Sequence, residues 1–349
     1  MESADIDAFR LDAQLRVLDE GSPVRWVEIE GSDRPFYPSE IDPLLRSLLD
    51  RSQGREDDDV TALAKAAAAL ALIAALLIPQ GASAAPVHQM STAGAGAAAA
   101  PKVRPLPPTG KFDYQLGGAY IPPVGVTIVA RDVTDRPAGG TYGICYVNGF
   151  QTQPGQASVW RTKRLSALLK TARGSLVRDP DWPDEFILDP STAPKRNHIL
   201  AMIRPQILDC ARRGFAAVEI DNLDTFTRFT SRATGLVTRA GAMALARDYA
   251  TIAHRAGLAI AQKNTAELGS AGRSIGFDFA VVEECFAYRE CAAYTKVYGA
   301  AVLQIEYPDS LGRSSFASVC KSRDRAARTI LRDRDLVPAG RRGHLFRSC

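Results

Sequence analysis

Beyond residue 110 the chain alternates short β-like apolar runs with longer amphipathic stretches. The short runs are residues 112–116, 143–147, 185–188, 216–220, 258–262, 277–282, 301–305 and 328–331, all of strand length. Stretches such as 199–211 and 240–256 carry apolar residues at helical period, and Gly214 and Gly257 follow them where a helix C-terminus favours glycine. Eight strands with helices between them predict an α/β protein: a parallel (β/α)8 TIM barrel, one catalytic domain, rather than an open sheet. Between Gly117 and Thr141 the helical pattern is poor and interrupted by proline, so the first connection is predicted to be a loop.

The N-terminal third reads differently. Residues 1–59 are polar and charged and end in Arg55-Glu56-Asp57-Asp58-Asp59. Lys65 is then followed by thirteen residues, Ala66 to Ile78, without a polar side chain, and by Ala82-Ser83-Ala84. A basic start, a short apolar run and a small-x-small site describe a secretory signal peptide, with cleavage expected after Ala84. The apolar run is short for a membrane span, which takes about 20 residues. Two readings of residues 1–59 stand side by side: a cytoplasmic segment before a membrane anchor (60–84), or a misplaced start. With Val60 as an alternative start codon the sequence becomes an ordinary secreted precursor. Residues 85–110, rich in Ala, Pro and Gly, are expected to be a linker, which leaves residues 111–349 for the folded domain.

Composition narrows the function. Hydrophobic residues make up 46% and charged residues 23%, ordinary for a globular protein. A net charge of +4 is too mild to argue for nucleic acid. All six cysteines lie beyond residue 84, which favours disulfides in an exported chain, with 15 connectivities open. Zinc spacing is missing and there are only four histidines, so no cofactor or transition metal is expected, while an oxygen-only Mg²⁺ or Ca²⁺ site stays open.

Polar residues gather at the strand ends. They are Asp113-Tyr114-Gln115, Tyr146 and Asn148, Asp189, Glu219 with Asp221-Asn222, Lys263-Asn264, Glu283-Glu284 and Glu306-Tyr307. One acidic residue after a strand is usually a helix cap. A ring of them converging on the C-terminal mouth of a barrel, where such folds place active sites, points to catalysis. Strand parity sends Val218 and Ile220 toward the helices and Ala217, Glu219 and Asp221 inward.

These segments resemble glycoside hydrolase family 114 in order along residues 111–349. The resemblance is carried by Phe112-Asp113-Tyr114-Gln115-Leu116-Gly117-Gly118, Ile144-Cys145-Tyr146-Val147-Asn148 and Trp182-Pro183-Asp184-Glu185 with Ile187-Leu188-Asp189. It continues through Gly214-Phe215 and Glu219-Ile220-Asp221-Asn222, Lys263-Asn264, Phe277-Asp278-Phe279-Ala280 with Glu283-Glu284-Cys285, Tyr288 and Glu290-Cys291, and Glu306-Tyr307. It departs where the family often has Pro (here Ile220) and Asn (here Val282), and neither change removes a carboxylate. The resemblance implies an endo-acting α-1,4-polygalactosaminidase working on a galactosamine-rich polysaccharide, with Asp221 and Glu283 as the catalytic pair. Asp113, Tyr114, Gln115, Tyr146, Asn148, Asp189, Glu219, Asn222, Lys263, Asn264, Glu284, Glu306 and Tyr307 are the expected substrate-binding residues. One conflict stands on the sixth strand. Phe277, Phe279, Val281 and Glu283 share a face, and bulky apolar residues normally face the helices, which would send Glu284 into the mouth; the motif favours Glu283.

With one strand between them, Asp221 and Glu283 can reach the roughly 5–5.5 Å spacing of a retaining pair, Asp221 as nucleophile and Glu283 as acid/base. The expected enzyme is a secreted monomer. Rival expectations are a catalytically silent carbohydrate-binding barrel and a metal-dependent hydrolase with the same mouth. By position, Cys145 on the second strand can meet Cys210 at a helix end, Cys285 and Cys291 bracket a short loop, and Cys320 and Cys349 remain to pair.

Overall fold

A computed structural model describes residues 16–18, 26–28 and 101–349, Pro154 excepted. The first of its two units contributes one antiparallel pair, β1 (Arg16–Leu18) and β2 (Trp26–Glu28), with Val17 opposite Val27. The apolar segment 60–84 and residues 85–100 lie outside the described residues.

The second unit is a (β/α)8 barrel. Its strands are β3 (Lys111–Gln115), β4 (Val126–Asp132), β5 (Tyr142–Asn148) and β6 (Ala217–Asp221). A small hairpin, β7 (Thr230–Ser231) and β8 (Gly235–Leu236), precedes β9 (Ala259–Lys263), β10 (Phe279–Glu283), β11 (Val302–Glu306) and β12 (Arg328–Arg332). The parallel ladder runs continuously from β3 to β12 without β7 and β8, and β13 (Phe346–Ser348) adds antiparallel to β12. Across the remaining seam Arg332, buried on β12, reaches the Tyr114 carbonyl and lies 3.1 Å from Asp113 Oδ1.

Two strand assignments differ from the pattern reading. The second barrel strand is Val126–Asp132, inside the stretch read as a loop, although Val126, Thr127, Ile128 and Val129 supply the β-branched residues strands favour. Residues 185–188 are no barrel strand; they make isolated antiparallel bridges such as Gln151↔Ile187 and Arg178↔Phe186 in the excursion after β5. Phe186, Ile187 and Leu188 are buried under that excursion, and a short buried run looks alike in either setting. Both connections flanking β4 are loops. Helices begin after β5 with α1 (Ala157–Lys163) and α2 (Ala193–Arg212), followed by α3 (Thr225–Arg228), α4 (Arg239–Arg255), α5 (Ala271–Ile275), α6 (Cys291–Tyr298) and α7 (Phe316–Lys321).

Two apolar layers set the faces of the strands. Val218, Ile220, Ile260 and Val282 pack outward with Ile199, Ile203 and Ile207 of α2 and Leu245 and Tyr249 of α4. Phe112, Tyr114, Ile144, Ala217, Ala259, Ala261, Phe279 and Val281 fill the interior. On β10 the bulky residues therefore face inward. Phe279 fits there because its register partner on β9 is Ala261, with Ala217 and Ala259 close below, so small residues leave the volume a phenyl ring needs.

Residues 101–110 are not a free linker. Val103 and Leu106 pack against the interior cluster, the Tyr142 hydroxyl donates to the Arg104 carbonyl at 2.9 Å, and Arg328 donates to the Pro107 carbonyl. The segment thus closes the N-terminal end of the barrel. Disulfides join Cys145 to Cys210, Cys285 to Cys291 and Cys320 to Cys349. Among the described residues no helix is long and apolar enough to cross a membrane.

Candidate active site

At the opposite end, alternation along β6, β9 and β10 brings Asp221, Lys263 and Glu283 inward at the mouth. Lys263 is the centre: its Nζ lies 3.1 Å from Glu219 Oε1, 3.2 Å from Asp221 Oδ1 and 3.1 Å from Glu283 Oε2. Tyrosines hold the second oxygens of Asp221 and Glu283 and the same oxygen of Glu219, whose Oε2 has no partner among the described residues. Tyr146 donates to Asp221 Oδ2 at 2.5 Å, Tyr114 to Glu219 Oε1 at 2.7 Å, and Tyr307 to Glu283 Oε1. Asn264 accepts from the Glu283 backbone N–H at 2.8 Å, and the Asn222 backbone N–H donates to Asp221 Oδ1 at 2.7 Å. The residue after each mouth group, Asn222 (φ 63°), Asn264 (φ 44°) and Glu284 (φ 60°), takes a left-handed backbone. That turn ends each strand sharply and frees the preceding side chain for the mouth; asparagine tolerates it better than most residues.

The electrostatics divide the carboxylates. Burial would raise Asp221, but Lys263, the Tyr146 hydroxyl and the Asn222 N–H outweigh it and hold the carboxyl below its ordinary value. Burial wins at Glu219, which is pushed up to about 7 against the pull of Lys263. Burial also disfavours the Lys263 ammonium, yet Asp221, Glu283 and Glu219 together push its pKa well above the ordinary value, so it stays charged. Tyr114, Tyr146 and Tyr307 are raised first by burial and remain neutral donors.

The expected residues Tyr114, Tyr146, Asn148, Glu219, Asp221, Asn222, Lys263, Asn264, Glu283 and Tyr307 thus meet in one cluster. Glu284 points away, pairing with Arg334 at 2.7 Å, and that guanidinium lies 4.1 Å above the Tyr307 ring. Four others among the expected residues do not join either. Asp113 and Gln115 sit on the outward face of β3, hydrogen-bonded to each other at 2.8 Å, where Arg332 and Arg131 hold the seam. Asp189 serves the start of α2, 2.5 Å from Lys195 Nζ and accepting from the Ser191 N–H at 3.0 Å. Glu306 faces outward on β11, accepting from the Phe286 N–H at 2.9 Å and Gln304 at 2.8 Å. Each is buried and held by structural partners, although Glu306 Oε2 has none among the described residues.

Glu185 was not among the expected site residues. Its Oε2 accepts from Asn148 at 2.7 Å, and Asn148 accepts from Asn222 at 2.9 Å, which places Glu185 on the rim beside Asp221. Burial pushes Glu185 up to about 7, and the nearby Asp221 charge adds to that. Its signal lay in the Trp182-Pro183-Asp184-Glu185 motif, masked by reading residue 185 as the first of a strand. Arg228 closes the rim, 2.6 Å from Asp179 and 3.1 Å from Asp224, and donates to Asn222 at 3.1 Å.

For a metal, one oxygen each of Glu219, Asp221 and Glu283 is already turned onto the Lys263 ammonium. The other close donor set among the described residues, Cys285, Cys291 and Glu306, has its two sulfurs joined in a disulfide and so lacks thiolates.

The barrel is similar to the crystal structure of Ega3 from Aspergillus fumigatus in complex with galactosamine, at 20% identity and TM-score 0.55, over 72% of this chain and 98% of that one. The glycoside hydrolase domain of PelA from Pseudomonas aeruginosa matches at 16% identity and TM-score 0.47, over 66% of this chain and 96% of that one. The chain matches no curated protein sequence. Residues 92–349 match the model of glycoside-hydrolase family GH114, well over half of the chain, and the chain accordingly belongs to that family of glycoside hydrolases.

Proposed function

We propose that the enzyme is exported and cleaves α-1,4-linked galactosamine polymers with retention of configuration. The observation that carries the mechanism is the sharing of Lys263 by Asp221 and Glu283. Two oxygens held at 3.2 Å and 3.1 Å from one nitrogen are at most about 6.3 Å apart, short of the ~6.5–9.5 Å of inverting pairs and able to reach the ~5–5.5 Å of retaining ones. Asp221, held ionised, attacks the anomeric carbon while Glu283 delivers a proton to the departing glycosidic oxygen. The resulting glycosyl ester at Asp221 is opened by water, whose proton returns to Glu283. The Tyr146 O–H and Asn222 N–H aim the nucleophile. The substrate class is supported by the family and by the galactosamine-bound Ega3 structure with the same fold. Export is supported by three disulfides and by the signal-like segment ending at Ala84.

The test is incubation with de-N-acetylated galactosaminan, with product sizing and NMR of the first anomer released. Shortened chains with α anomers first are expected; β anomers would mean inversion. Asp221→Asn should cost at least about a thousandfold in kcat with the fold intact, since an amide is no nucleophile. Glu283→Gln should lose the proton transfers, and azide should restore turnover on a substrate with a good leaving group. Near-normal rates for Asp221→Asn would end the mechanism.

A further inference from the structure

Glu185 is exposed by only 7%, and one of its two oxygens is satisfied by Asn148. Among the described residues its Oε1 has no hydrogen-bond partner, and it is not one of the buried atoms sealed from solvent. The cations nearby are taken: Lys263 by Glu219, Asp221 and Glu283, and Arg228 by Asp179 and Asp224. A carboxylate this buried, fixed by one amide and left in contact with solvent at its other oxygen, lacks the paired cation that would offset its desolvation.

Resting on the reading that the substrate is a galactosamine polymer, we infer that Glu185 selects for the free amine, its open oxygen receiving the ammonium group of the sugar bound beside Asp221. An ammonium supplies both the charge and the N–H donors that a lone carboxylate oxygen lacks. An N-acetyl group supplies one neutral N–H and adds a methyl and a carbonyl oxygen, which a carboxylate repels. Glu185 therefore acts as a filter on acetylation, separate from the bond-breaking pair.

The experiment compares kcat/KM on fully de-N-acetylated and on N-acetylated galactosaminan for the wild type and Glu185→Gln. Glutamine keeps the size and the contact with Asn148 and loses the charge. The ratio between the two polymers is expected to fall by about ten- to a hundredfold, through the de-N-acetylated polymer, because hydrogen bonds to charged groups are the strong ones. Equal losses on both polymers, or an unchanged ratio, would overturn the inference while leaving the proposed activity standing. A wild type that cleaves neither polymer would refute the activity, and the inference with it. Should the glutamine variant fail to fold, Glu185→Asp decides: the charge stays but recedes, so a lowered ratio supports the filter and an equal loss on both polymers overturns it.

Discussion

Lys263 carries a tension that can be measured at single residues. Its ammonium is one cation among the buried carboxylate of Glu219 and the part-buried ones of Asp221 and Glu283, and removing one member of such a set leaves the others uncompensated. Lys263→Met is expected to cost about 3–5 kcal/mol in urea unfolding, as well as activity. The same cluster sets a pH dependence. Glu219 titrates near 4.5 unfolded and is pushed up to about 7 when buried in the fold. Between those values the folded chain holds a proton the unfolded chain has released, so stability falls as pH rises through that window. Asp221, held low, works oppositely and loses its contribution only as pH drops below the ordinary carboxylate range. Wild-type melting temperature should therefore be higher at pH 5 than at pH 8, with Glu219 contributing on the order of 2 kcal/mol. Glu219→Gln should flatten the profile; an unchanged slope would place the proton elsewhere.

Among elements, β6 and β10 show when local pattern suffices. On β6 alternation puts Val218 and Ile220 toward the helices and Ala217, Glu219 and Asp221 inward, and residues of one strand carry that signal alone. On β10 the inward face holds Phe279 and Val281 because β9 presents Ala261 opposite, a fact of register between strands far apart in sequence. The disulfides couple elements with unequal reach. Cys145–Cys210 joins β5 to α2 across a sequence separation of 65, whereas Cys285–Cys291 spans 6. Loop-closure entropy predicts a loss of roughly 4 kcal/mol for the first pair replaced by serine and roughly 2 kcal/mol for the second. The second closes the loop that follows Glu283 and Glu284, so Cys285→Ser/Cys291→Ser should lower kcat out of proportion to its effect on melting temperature. Paired activity and calorimetry measurements separate the two effects.

At the scale of the whole molecule, the segment before β3 is part of the barrel. A fragment starting at Ala85 should be folded and active, whereas one starting at Lys111 should be markedly less stable. The shorter fragment takes the partners of the Tyr142 hydroxyl and Arg328 and uncovers the interior beneath Val103 and Leu106. Equal melting temperatures for the two fragments would show that this end contributes nothing. The architecture was legible because it follows from local periodicity: seven of the eight barrel strands, the helices between the later ones, and mouth groups such as Asp221 and Lys263 at strand ends. Cysteine positions likewise pointed to the three disulfide pairs that the structure contains. Which polar residues meet was decided only in three dimensions. Asp113 lies within a strand-like run, and Asp189 and Glu306 follow one just as Asp221 does, yet Arg332, Lys195 and the Phe286 N–H claim them. Glu185 reaches the mouth only because the excursion after β5 folds back onto Asn148. A strand's two-residue period tells which side chains share a face, but whether that face looks into the mouth depends on the volume and charge its distant neighbours bring against it.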